Sequence, residues 1–189
     1  MKFITTISDW AYRQANPRNI LILLLLVLFM TFFVFPRYKA QIVPDEGPCI
    51  LDLRFGFSAD QAYDTLEAFG EEGRAVYLEM LLVADAVYPL IYGLLLIFLA
   101  SFFLKRILKP GNAFRVINLL AVDAVIFDFL EIAGIAFMIR QFPHRADFIA
   151  GLTSVFNMLK WIMVGLAVVL VLVSMGVFLI KLSRSISEE

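Results

Sequence analysis

The chain has 189 residues, of which 61% are hydrophobic and only 17% charged, with a formal net charge of −1. A soluble domain carries roughly a quarter charged residues, and here the apolar residues gather in long runs, which excludes an ordinary soluble globule. One cysteine and one histidine, Cys49 and His144, exclude an internal disulfide, a thiolate cluster and a His-rich metal site, and no basic patch interleaved with aromatics points to nucleic acid.

Near the start, Phe3, Ile4, Ile7, Trp10 and Ala11 recur at helical spacing between polar residues. That pattern predicts a short helix lying in the membrane interface, as an ordinary membrane-proximal segment. Asn16-Pro17 then reads as an N-cap followed by proline at the first helical position. The uncharged run Ile20–Phe35 continues from it, and a helix over 17–35 would be about 28 Å long, close to the bilayer core. Tyr38-Lys39-Ala40 lacks the small residues of a signal cleavage site, so an uncleaved span is expected.

Residues 36–74 form an outer loop. Within it, Ser58-Ala59-Asp60-Gln61 matches a capping box, and Ala62, Leu66 and Phe69 make an apolar stripe ahead of Gly70. A helix over Ala59–Phe69 is predicted, preceded by an extended CILDLRFGF, and it should close the outer end of the bundle as a cap. Three further spans are expected at about 75–104, 116–139 and 148–182, the first of them kinked at Pro89. The whole chain reads as one integral membrane domain: an all-α, four-helix bundle.

Lys and Arg set its orientation. Lys2, Arg13, Arg18, Lys105, Arg106, Lys109, Arg115, Lys181 and Arg184 fall on one side, and Arg37, Lys39, Arg54, Arg74, Arg140 and Arg145 on the other. Nine against six places both termini in the cytoplasm.

Five carboxylates and one ammonium lie inside the predicted spans: Glu79, Asp85, Asp123, Asp128, Glu131 and Lys160. At a rise of about 1.5 Å per residue, Asp85, Asp128, Glu131 and Lys160 reach one depth, near mid-membrane and towards the outside. Asp123 sits closer to the cytoplasm. Asp128 and Glu131 share a helix face; Asp85, Tyr88 and Tyr92 share another; Thr153, Asn157 and Lys160 align on the last helix, flanked by Trp161. Intramembrane charges cost about 2.5–3.5 kcal/mol each on insertion scales, so they are expected inside the bundle and in a functional role. The plainer alternative is structural, with Lys160 bridging Asp128 or Glu131. One ammonium cannot balance five acids; protons, tyrosines or a bound guest must supply the rest.

Several chemistries lack their residues. The Glu-x-x-His pattern of di-iron bundles and the G-x-S-x-G elbow are absent, and the cysteine pairs of vitamin K epoxide reductases are missing. No metal and no cofactor are expected. The string DLRFGFSADQAYDTLEAFGEEGRAVYLEM, with FDFLE and LKW downstream, resembles a group of uncharacterised bacterial four-helix membrane proteins. The resemblance implies a multi-pass protein of the bacterial inner membrane and carries no activity. In architecture alone, four spans with buried acids are similar to the sterol-isomerase and sigma-2 receptor family, whose acids lie in a lipophilic cavity; no motif carries over.

The expected function is binding of a membrane lipid or lipophilic small molecule. Asp85, Asp128, Glu131, Asn157 and Lys160 would hold its polar head, and Tyr88, Tyr92 and Trp161 would line the cavity. Three alternatives remain. One is an enzyme on a lipid-like substrate, with Asp128 or Glu131 as general acid and a neighbouring carboxylate, Asp85 among the candidates, as base. The second is a non-catalytic subunit of a larger membrane complex. The third is a proton-coupled transporter, which would need a homodimer for the usual repeat symmetry.

Overall fold

The computed structural model describes residues 2–43 and 48–187. Among them every regular element is helical: α1 (Lys2–Gln14), α2 (Pro17–Phe29), α3 (Phe35–Ile42), α4 (Ala59–Ala68), α5 (Gly70–Val83), α6 (Tyr88–Ile107), α7 (Ala121–Gln141) and α8 (Asp147–Ser187). Three helices are long and apolar enough to cross a membrane: Pro17–Ile42, Tyr88–Ile107 and Asp147–Ser185. Along the first, Leu21, Leu25, Phe29, Phe32 and Phe33 are all more than half exposed. An apolar face of that extent has no tolerable place in water and suits lipid as its solvent.

Local signals in the sequence start the helices. Asn16 Oδ1 accepts from the Asn19 N–H at 3.0 Å ahead of Pro17. Ser58 and Gln61 complete the reciprocal capping box of α4, which ends at Ala68, one residue short of expectation. The first span does not stop at residue 35. A π turn at Met30–Val34, in which the Phe35 N–H reaches back to the Met30 carbonyl, accommodates Pro36, and α3 carries the helix on to Ile42.

The expected second span over 75–104 is not one kinked helix. It is broken into α5 and α6 by a turn at residues 84–87, and Asp85 lies in that turn. The Ala84 and Asp85 N–H groups both turn back to the Met80 carbonyl, each at 2.9 Å. Pro89 has no N–H to offer the Asp85 carbonyl four residues before it, so the ladder cannot be resumed in register. The third expected span also starts later. Residues 113–119 form a 3-10 turn, and the α-helix begins at Ala121. The segment expected to be extended, 49–57, contains a 3-10 turn at Leu51–Leu53.

Helix α7 packs along α8 and against α6, while α2 packs on α6 and α3 on α5. Gly134 permits the tight α7–α8 contact: a Cβ there would stand 2.0 Å from Thr153 Oγ1. One apolar core joins Ile42, Leu51, Leu66, Tyr77, Met80, Ile135 and Met138; a second joins Ala11, Phe98, Ala121 and Ala167 at the other end. Between them, on α7 and α8, lie Asp128, Glu131 and Lys160.

The N-terminal helix is more than an interface segment. Its Phe3 and Ile4 face outward, but Ala11, Tyr12 and Ala15 are buried. Ser8 Oγ donates to Asn118 Oδ1 (2.8 Å), Asn118 Nδ2 donates to Ser101 Oγ (2.8 Å), and Tyr12 Oη donates to the Arg115 carbonyl (2.8 Å). Burial pushes the Tyr12 hydroxyl above its ordinary value, so it stays a donor. These bonds seat α1 across the end of α6 and the 113–119 turn.

Candidate functional site

Lys160 projects from the middle of α8 and is 6% exposed. Its ammonium pairs with Glu131 Oε2, lies 3.7 Å from Asp128 Oδ1 and donates to the Asp52 carbonyl at 3.1 Å. The 3.7 Å contact is an ion pair beyond hydrogen-bond distance, so Asp128 neutralises charge without taking an N–H. Glu131, fully buried, also accepts from Asn157 Nδ2 at 2.7 Å. Asp128 accepts from Tyr92 Oη at 2.7 Å. Residues three apart on α7 and on α8 thus interlock, Asp128 and Glu131 with Lys160 and Asn157.

The loop before α4 enters this cluster, which the pattern of the sequence did not suggest. Asp52 is 9% exposed and supplies its carbonyl to Lys160, while its Oδ1 accepts from the buried Tyr77 hydroxyl at 2.7 Å. Gly56 adopts a φ of +79°, a conformation that glycine reaches without steric cost. Its N–H donates to Asn157 Oδ1 (2.7 Å), and the Phe57 N–H donates to Ser154 Oγ (2.8 Å). Three side chains of one α8 face, Ser154, Asn157 and Lys160, therefore hold residues 52–57 inside the bundle. The only hint in the sequence was the run of apolar residues flanking Asp52, Leu51 and Leu53, in a loop otherwise rich in charge.

Beside the cluster lies a cavity of about 620 Å³. Asp52, Asp85, Asp128 and Lys160 form its polar end. Apolar and aromatic side chains from α2, α3, α6 and α8 form the rest, including Val27, Phe35, Tyr88, Leu95 and Trp161, and the exposed Lys39 stands on its rim. Tyr88 packs edge-on against Phe35 and at a tilt against Tyr92, with ring centroids 5.0 Å and 5.4 Å apart, and the Lys160 ammonium lies 5.1 Å from the Trp161 ring. Polar wall groups are satisfied with one exception. Asp85 is 6% exposed, and its Oδ2 is buried without a hydrogen-bond partner among the described residues.

The sequence-derived candidates divide accordingly. Asp85, Tyr88, Tyr92, Asp128, Lys160 and Trp161 line the cavity; Glu131 and Asn157 stand behind it, joined to Lys160 and the inserted loop. Thr153 donates to the Ile149 carbonyl at the α7–α8 contact, away from the cavity wall. Glu79 is exposed on α5, where its Oε1 accepts from Tyr38 Oη at 3.2 Å, and Asp123 is exposed in the first turn of α7. Neither belongs to the cluster. Among the described residues no group of three or more His, Cys, Asp or Glu side chains is arranged to hold a metal ion.

Chemically, the site can accept hydrogen bonds from a polar head at its carboxylate end and shield an apolar body at the other. No protein-family model, no curated protein and no solved structure matches the chain.

Proposed function

We propose that the chain is a multi-pass protein of the bacterial inner membrane that binds a lipid or lipophilic small molecule in the cavity between α2, α6 and α8. In this reading α7 is the fourth span of a four-helix bundle. Its 21 residues extend about 31 Å, and its carboxylates at 128 and 131 turn inward, where Lys160, Tyr92 and Asn157 meet them. Both termini are cytoplasmic by the distribution of Lys and Arg, so the cavity rim at Lys39 and Ile50 faces the outer leaflet.

The observation that carries the reading is the cavity itself: about 620 Å³, largely apolar, with charged groups gathered at one end. A purely structural role for the acids would leave them paired in closed packing, and Asp85 is not paired. Native mass spectrometry of the purified protein tests the proposal. A lipid or lipophilic adduct at one per chain is expected, and Val27→Trp, which fills the cavity from the partly exposed face of α2, should abolish it. A wild-type protein free of adducts, or an adduct unchanged in the folded variant, would overturn the reading.

A second reading, an enzyme acting on a lipid-like substrate, is favoured by one detail. Asp85 and Asp128 both face the cavity, one without a donor and one holding the Tyr92 hydroxyl. Such a pair is suited to act as base and acid on one substrate. Retained adduct with loss of turnover in Asp128→Asn would separate this reading from simple binding.

A further inference from the structure

We infer that the ligand carries a protonated amine, which seats on Asp85 with its apolar body along α2 and α6. The inference rests on the cavity reading above and names the class of its occupant. It starts from an inventory of the polar wall. Asp52 has the Tyr77 hydroxyl, Asp128 has the Tyr92 hydroxyl, and Glu131 has Lys160 and Asn157. The Lys160 charge is already offset by Glu131 and, at 3.7 Å, by Asp128, and its ammonium donates to the Asp52 carbonyl. Lys39, the other cation of the lining, is exposed on the rim. Two carboxylate oxygens among the described residues, Asp85 Oδ2 and Glu131 Oε2, are buried without a hydrogen bond; Glu131 Oε2 is ion-paired with Lys160, and Asp85 Oδ2 has neither.

A buried acceptor without a donor is costly, and an anion more so, unless a partner arrives with the ligand. Three carboxylates on the wall against one engaged ammonium make the polar end a poor host for phosphate, sulfate or carboxylate. An ammonium answers both demands: it donates N–H bonds to Asp85 Oδ2 and offsets the acidic excess. The surrounding rings suit it as well. Tyr88, Tyr92 and Phe35 stand next to the Asp85 turn and present aromatic faces and edges around the place a cationic head would occupy.

The placement of Asp85 follows from the broken helix. In a continuous α5–α6 helix the Asp85 backbone would be sealed in the ladder. At the turn before Pro89 the residue instead stands at the head of α6, two turns or less from Tyr88 and Tyr92, whose rings flank it. The break thereby delivers a carboxylate to the deep end of an apolar pocket.

Isothermal titration calorimetry in phosphatidylcholine nanodiscs tests the inference, with dodecylamine and dodecanol as probes and empty nanodiscs as the blank. Wild-type protein is expected to bind the amine about 10–100-fold more tightly than the alcohol, the size of one charge-assisted hydrogen bond. Asp85→Asn should erase that preference while keeping the alcohol affinity; its melting temperature, measured in parallel, shows that the variant is folded. Asp85→Ser, a smaller uncharged replacement, should erase the preference likewise and serves as the second variant if Asp85→Asn does not fold. Equal binding of amine and alcohol to wild type, or an undiminished preference in Asp85→Asn, would overturn the amine assignment and leave the cavity reading intact. Saturable binding of neither probe, together with a protein free of lipid adducts, would overturn the cavity reading itself.

Discussion

Lys160 shows how one side chain decides whether a buried acidic cluster is stable. It is held by Glu131, by Asp128 at 3.7 Å and by the Asp52 carbonyl at 3.1 Å, with almost no exposure. Removing a single partner from such a group strands the others, which typically costs about 3–5 kcal/mol. Lys160→Met should therefore lower the thermal unfolding midpoint in detergent steeply, and adding Glu131→Gln should recover a large part of the loss, because the amide can still accept from Asn157. A Lys160→Met protein that melts like the parent would contradict this account. The ion pair of Arg145 with Asp60 offers the contrast. It too is close, at 2.6 Å, but both side chains are well exposed. Solvent and salt screen it, so its loss should be nearly silent.

At the scale of the element, the contact between α7 and α8 depends on a missing side chain. A Cβ on Gly134 would meet Thr153 Oγ1 at 2.0 Å and its Cβ and Cγ2 at 2.9 Å, and that hydroxyl is tied to the Ile149 carbonyl at 2.7 Å, so it cannot swing aside freely. Gly134→Ala should force the helices apart and destabilise by about 1–3 kcal/mol, as overpacking of a close contact does. Thr153→Ala in the same chain should restore part of that stability in the same thermal measurement; no restoration would place the strain elsewhere. Separation of α7 from α8 would also pull Asp128 and Glu131 from Lys160, so the same variant should weaken amphiphile binding.

For the whole molecule, the proposed orientation places the loop before α4 outside and α8's end inside. Cys49 is the chain's one cysteine, and it is exposed. A membrane-impermeant maleimide should label it in intact spheroplasts, whereas Cys49→Ser with Ser185→Cys should label only in inverted vesicles. Reversed accessibility would invert the topology, and labelling of both from one side would remove a span.

Much of the local structure was legible in the sequence, for a physical reason. Helix starts at Asn16-Pro17 and Ser58–Gln61 depend on bonds that span three residues, and the lipid-facing character of Pro17–Ile42 is a property of composition. Depth counting along helices of fixed rise also put Asp85, Asp128, Glu131 and Lys160 at one level. Tertiary structure alone decided the rest. The insertion of Asp52 and Gly56 rests on bonds to Asn157 and Lys160 across 101 to 108 residues of chain, which no local pattern encodes. Depth counting had already set Glu79 and Asp123 apart from that level, and the packing shows both exposed. A charge in the sequence states a demand for a partner in low dielectric, and the fold determines which demands are met within the chain. At Asp85 it leaves an oxygen without a donor, and the proposed ligand would supply one.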